Sequence, residues 1–317
     1  MARWLSWLAA LHVLSLPLAA QSLEVSPEDQ QIWLVWVDGR REPLTHGPEF
    51  ASAPTWSQDH ERIAYFRFCP QVGQCEPKLV LCDPNGAVLK EFSLAPTKDW
   101  DGCNSVNRID FIDRRRLGVD CHVSPSLSEY SELDQESGQA LRHWLGFGFA
   151  WSPDNSHLAY HGWIPHFSPP FGHSSYLQID GKTVYPPHAV TSAVSSPGPH
   201  GTRLEPHTIQ ESGGLYRNIH EFYGAFFWAP DSKRVAFIDR IYDWKSVDNT
   251  LMDAGEQNVR FFLVIAGEGI KPSVLPVSDG CNSRLQIEWR NDREINVACD
   301  GKVQHCVIDF MGTLSTH

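Results

Sequence analysis

"DGCNSVNRIDFIDRRRLGVDC", residues 101–121, returns 178 residues later as "DGCNSRLQIEWRNDREINVAC", residues 279–299. Nine of the 21 positions are identical, and the two cysteines stand 18 apart in both copies. Duplication at that length points to a repeat architecture, which should leave further copies in the chain. Three occur without cysteine: "TWSQDHERIAYF" around Trp56, "AWSPDNSHLAYH" around Trp151 and "FWAPDSKRVAFI" around Trp228. In each, the Trp is followed three residues later by Asp, then by an apolar–small–aromatic triplet such as Ile63-Ala64-Tyr65. The two cysteine-bearing copies centre on Phe111 and Trp289, with turns one residue shorter.

The unit has a local physical reading. Pro153 and Pro230 preset φ for the second position of a tight turn, and Asp154 and Asp231 suit the next. Alternation on either side, Ile63 and Tyr65 against Arg62 and Ala64, gives period-2 strands. Each copy therefore reads as a β-hairpin. A second hairpin follows most copies: "KLVLCDPNGAVLKEF" (78–92), "YLQIDGKTVYP" (176–186), "FFLVIAGEGIKPSVLPV" (261–277) and "CVIDFMGTL" (306–314). Another, "IWLVWVDGRREPLT" (32–45), precedes the first. Two hairpins make a four-stranded sheet, so the expected fold is all-β, a β-propeller of five or six four-stranded blades. The five Trp-type hairpins are marked by Trp56, Phe111, Trp151, Trp228 and Trp289; the extra N-terminal hairpin leaves the count open.

The eight cysteines fit the same scheme. In hairpins turning at residues 112 and 290, Cys103 opposes Cys121 and Cys281 opposes Cys299. Opposed antiparallel residues lie about 4.5–5.5 Å apart at Cα, within disulfide reach. Both bridges are expected. Cys69 and Cys75 flank the next turn and can pair likewise, which leaves Cys82 and Cys306 over. The chain contains no Cys-x-x-Cys, so a zinc site on these cysteines is not expected; nor is any other metal or cofactor expected.

"WSPDNSHLAY" and "WAPDSKRVAF" resemble the WD-like repeat of TolB-type propellers, a Trp-Ser-Pro-Asp-Gly turn before an Ile-Ala-aromatic strand; "WSQDHERIAY" nearly matches it. The resemblance covers roughly residues 30–317 and implies a fold, since its motif residues are packing residues and one fold hosts many activities. The usual Gly is replaced by His60, Asn155 and Ser232, which costs little if those residues tolerate positive φ. Similar propellers precede the catalytic domain of prolyl-oligopeptidase-like peptidases. Here no Gly-x-Ser-x-Gly elbow occurs and the chain closes at His317, so that hydrolase is not expected.

Residues 1–20 have the layout of a secretory signal peptide: Arg3, an apolar run from Trp4 to Leu18, then Ala19 and Ala20. Cleavage would leave residues 21–317 as a single domain without a membrane span, secreted or periplasmic, and expected to be a monomer. The net charge of −12, with scattered Lys and Arg, argues against nucleic acid. The hairpin rhythm breaks at about 161–176 and 187–222. The first break, "HGWIPHFSPPFGHSSY", supplies the candidate binding residues His161, Trp163, His166, Phe167, Phe171 and His173, because long loops on a repeat scaffold carry binding. No catalytic spacing is found. The expected function is a non-catalytic binding scaffold for a protein or small-molecule ligand. The alternative is an enzyme acting on a saccharide, lactone or peptide through acidic or His side chains lining the channel.

Overall fold

The computed structural model describes residues 20–71, 73–97, 102–124, 127–162, 175–186, 193–194, 203–204, 210–211, 215–247, 250–277, 286–299, 302–308 and 314–316. Among these, every regular element is a β-strand. They gather into two compact units, Met1–Ser93 and Leu94–His317.

In the first unit, β1 (Ala20–Val25), β2 (Ile32–Trp36) and β3 (Arg41–Pro43) form one antiparallel sheet. A meander of β4 (Phe50–Trp56), β5 (Ile63–Phe68), β6 (Lys78–Cys82) and β7 (Val88–Ser93) forms another. Alternation places Ile63, Tyr65, Val80 and Cys82 in one core with Ile32 and Leu34.

The second unit opens with β8 (Val106–Phe111), β9 (Arg116–Ser124), β10 (Leu127–Asp134), β11 (Ala140–Trp151), β12 (Leu158–Gly162), β13 (Leu177–Ile179) and β14 (Lys182–Tyr185), hydrogen-bonded in sequence as one seven-stranded sheet. A short pair, β15 (Ala193–Val194) and β16 (Arg203–Leu204), follows. Next come β17 (Gln210–Glu211), β18 (Leu215–Trp228), β19 (Val235–Val247), β20 (Thr250–Gly267) and β21 (Ile270–Val277) as a five-stranded sheet. The last sheet is β22 (Gln286–Trp289), β23 (Glu294–Cys299), β24 (Lys302–Ile308) and β25 (Leu314–Thr316). Four-stranded sheets were the expectation, and β4–β7 and β22–β25 have that form. The seven-stranded sheet differs because β11 crosses two sheets without a turn. Ala140–Gly146 pairs with β10, and Gly146–Trp151 pairs with β12. A bulge between Phe147 and Ala150, with Gly148 at φ 66°, bends the strand but does not end it.

The repeat is visible residue by residue. Trp56 faces Ile63, Trp151 faces Leu158, and Trp228 faces Val235. The intervening turns put His60, Asn155 and Ser232 at φ 57°, 58° and 58°, so these three side chains occupy the left-handed position where the repeat usually carries Gly. Asp helps hold each turn there. Asp59 Oδ1 accepts from the Glu61 amide (3.2 Å), Asp154 Oδ1 from the Ser156 amide (3.0 Å), and Asp231 Oδ1 from the Lys233 amide (3.0 Å).

The cysteine-bearing copies share a second register, Phe111 on Leu117 and Trp289 on Ile295. Their turns therefore centre two residues later than the cysteine spacing implies. Asp113 fixes this, accepting from the amides of Arg115 (2.7 Å) and Arg116 (2.9 Å). Val106 consequently faces Cys121. Cys103 reaches Cys121 from the segment before β8, and the two are joined with Cα atoms 5.6 Å apart. Cys69 and Cys75 are joined as well, while Cys82 and Cys306 are buried free thiols. Cys281 and the side chain of Cys299 lie outside the described residues.

Indole N–H groups stitch these sheets together. Trp228 Nε1 donates to the Ala150 carbonyl (2.8 Å), and Trp289 Nε1 to the Phe227 carbonyl (2.9 Å). In both cases the acceptor immediately precedes the marker Trp of the previous copy. Trp151 reaches the equivalent residue through a side chain. Its Nε1 donates to the Tyr130 hydroxyl (2.8 Å), which donates to Asp110 Oδ2 (2.9 Å). Burial pushes the Asp110 carboxyl up, against the opposing pull of Arg108.

Candidate functional site

Strand direction places the described residues that flank both insertions on one rim of the second unit. The turns after Trp151 and Trp228 lie side by side, with the Asp154 amide 3.2 Å from Ser232 Oγ. From that edge β12 runs away and ends at Gly162, and β13 returns; β14 then runs out again to Tyr185. β18 enters from the same far rim, where Leu215 faces Lys245. The residues flanking the insertions meet there. The Ser175 amide donates to the His220 carbonyl (2.6 Å), and the Phe222 amide to Ser175 Oγ (3.4 Å). The end of the first insertion is thus tied to the end of the second.

Their beginnings meet in the same cluster. His161, on β12, stacks on Phe147 at 4.4 Å with the rings 16° from parallel. Phe226 lies 4.7 Å from it and Phe222 5.2 Å. Tyr185 packs its ring on Phe222, Phe237 and His220. Its hydroxyl donates to Asp239 Oδ2 (2.8 Å), which also receives His220 Nδ1 (2.6 Å). Asp239 is fully buried on β19. Its Oδ1 has no partner among the described residues, and neither does His161 Nδ1.

His161 is therefore part of a packed root and not of an exposed lip, being 3% exposed. Burial depresses its imidazole to about 3, because the charged form would lose its hydration without a partner. Burial and the neighbouring Asp239 carboxylate together raise the Tyr185 phenol. Trp163, His166, Phe167, Phe171 and His173 lie outside the described residues. Tyr185, His220 and Asp239 are not singled out by the sequence. "HEFYG" at 220–224 lacks the second His of a zinc-protease motif, and Asp239 reads as an ordinary strand residue.

Two other clusters can be assigned by their chemistry. On β10 and β11, Ser131 Oγ (2.9 Å) and Glu129 Oε1 (3.1 Å) both meet His143 Nδ1. A proton relay needs its two partners on opposite ring nitrogens, so these contacts do not form one. Glu49, Cys69 and Cys75 have metal-ligand spacing. The two sulfurs are joined to each other, and Glu49 lies 3.1 Å from Arg67 Nε.

No family model matches the chain, and no curated protein matches it by sequence. Among solved structures it is similar to the β-propeller domain of the Trilobed protease from Pyrococcus furiosus (12% identity, TM-score 0.39, 90% of this chain and 76% of that one). It is also similar to TolB from Acinetobacter baumannii (13% identity, TM-score 0.35, 92% and 64%). A third is the acylaminoacyl peptidase of Pyrococcus horikoshii (14% identity, TM-score 0.40, 93% and 43%). The chain spans less than two thirds of the last two. At these values no activity, substrate or partner carries across. Among the described residues, no helix is long and apolar enough to cross a membrane.

Proposed function

We propose that the protein is an exported β-propeller of the TolB-like kind, acting as a binding scaffold whose ligand or partner is held where the two insertions leave the sheets. The Trp-marked hairpins, repeated in register and stitched by their indoles, support the propeller. The two disulfides suit an oxidising compartment. The observation that carries the binding role is the tie from Ser175 to His220, with His161, Tyr185 and Phe222 packed beside it. The flanking residues of both insertions share one packed cluster, and a pre-organised base lowers the entropy lost on binding.

The test compares two baits, the full chain and a Trp163→Ala/His166→Ala/Phe171→Ala variant, in capture from the native exported fraction. Circular dichroism checks that the fold is kept. A partner recovered by the first bait and lost by the second supports the reading; equal recovery overturns it. A second reading, the enzyme, is favoured by one observation: a fully buried Asp239 orients His220 through Nδ1, an arrangement that can hold an imidazole for proton transfer. Under it, His220→Gln abolishes turnover of a saccharide, lactone or peptide substrate while leaving binding intact.

A further inference from the structure

The twin hairpins differ at one place that their shared backbone does not require. Asp113 Oδ1 caps the first turn, and Asn291 Oδ1 caps the second at the amides of Arg293 (2.9 Å) and Glu294 (3.0 Å). Ile112 N donates to the Arg116 carbonyl as Arg290 N donates to that of Glu294. An Asp or Asn at the first turn position thus suffices. Yet the first turn continues Arg114-Arg115-Arg116 where the second has Asp292-Arg293-Glu294. Arg116 has structural partners, with Nε on Asp113 (2.6 Å), Nη1 on Glu132 (3.1 Å) and Nη2 on the Asn155 carbonyl (2.9 Å). Arg114 and Arg115 are exposed at the hairpin tip.

We infer that the Arg114–Arg115 bond is a processing site for an arginine-specific endopeptidase of the compartment, and that the cut product is a two-chain protein held by Cys103–Cys121. Exposed hairpin tips are where chains are nicked. An arginine-specific peptidase needs an accessible guanidinium and a scissile carbonyl that can turn toward its oxyanion donors. The Arg115 carbonyl is engaged, accepting from the Gln135 amide at 2.7 Å. Nothing among the described residues donates to the Arg114 carbonyl. Arg293, the twin of Arg115, is likewise held, its carbonyl accepting from the Ile308 amide at 2.9 Å. The second hairpin therefore serves as a built-in control. Hydrolysis adds one water across the bond: the Arg114 carbonyl carbon gains the hydroxyl and becomes a carboxylate, and the Arg115 nitrogen leaves as an ammonium. The disulfide spans the cut, so the strands stay paired.

The test is brief trypsin treatment of the folded full chain, followed by mass analysis with and without reductant. The expected early product has the intact mass plus one water, separates into two fragments only on reduction, and begins its second fragment at Arg115. Arg114→Gln should slow this cut at least about tenfold, while Arg293→Gln leaves it unchanged. Survival of the Arg114–Arg115 bond while other bonds are cut overturns the inference. So does a cut that accelerates with urea in step with global unfolding, because it then needs the unfolded chain.

Discussion

His161→Phe tests the packed root directly. In the unfolded chain an imidazole titrates near its ordinary value of about 6.5. In the folded protein burial holds that of His161 at about 3. The folded value lies below the unfolded one, so the neutral ring's contribution is fully present above about pH 6.5. It is lost as pH falls from there toward about 3, because only the unfolded chain takes up the proton. One proton corresponds to about 1.4 kcal/mol per pH unit, so lowering pH from about 7.5 to about 5 should cost roughly 2 kcal/mol at this site. Phe keeps a ring against Phe147 and Phe226 and removes the unpartnered Nδ1, so any packing change it brings is independent of pH. Urea unfolding of both proteins at several pH values separates the two effects. The wild-type protein should lose roughly 2 kcal/mol more than the variant over that interval. Equal pH slopes, or a His161 ring resonance titrating near 6.5 in the native protein, would refute the reasoning.

Trp228→Phe keeps an aromatic ring and deletes the donor to the Ala150 carbonyl; a loss of about 1 kcal/mol in thermal or chemical melts is expected. Asn155→Val puts a β-branched side chain at φ 58° and should cost at least about 1–2 kcal/mol, while Asn155→Gly should be tolerated. Burial pushes the Cys82 thiol up to about 12 and raises that of Cys306, so a disulfide-exchange reagent should label both only when the protein is unfolded. Replacing Cys103 and Cys121 together by Ser should destabilise by about 3 kcal/mol on the chain-entropy account, measured by melts under non-reducing conditions.

The hairpins were legible because their determinants are local. A Trp, an Asp three residues on and an apolar–small–aromatic triplet specify a turn and two faces within a dozen residues. The left-handed φ of His60, Asn155 and Ser232 could be anticipated in the same way, from the position of the missing Gly. The register of the cysteine hairpin was less legible. Equal spacing placed Cys103 opposite Cys121, whereas the side chain of Asp113 decides where the turn closes. The fused seven-stranded sheet escaped because no residue in Ala140–Trp151 announces that one strand serves two neighbours. The root cluster escaped for a different reason: Tyr185, His220 and Asp239 stand far apart in the chain and meet only through tertiary packing. Ser26-Pro27 forms an earlier copy of the same turn, outside the Trp-marked series. Val25 faces Ile32 across Ser26-Pro27, the same seven-residue step as Trp56 to Ile63. That pair of residues was the available signal.

Among the described residues, each of the two indole bonds to a main-chain carbonyl points backward along the chain, from Trp228 to Ala150 and from Trp289 to Phe227. The donor always belongs to the later hairpin and the acceptor to the earlier one. A chain emerging from its amino end therefore presents both of these carbonyls before the indole that binds each. For these two bonds assembly can keep pace with emergence, each later hairpin docking its indole on a strand already formed. A circular permutant that begins between Ala150 and Trp228 reverses one of these dependences, leaving Trp228 exposed until the far end arrives. Its native contacts would be the same, but its refolding during synthesis should be slower than that of the natural order.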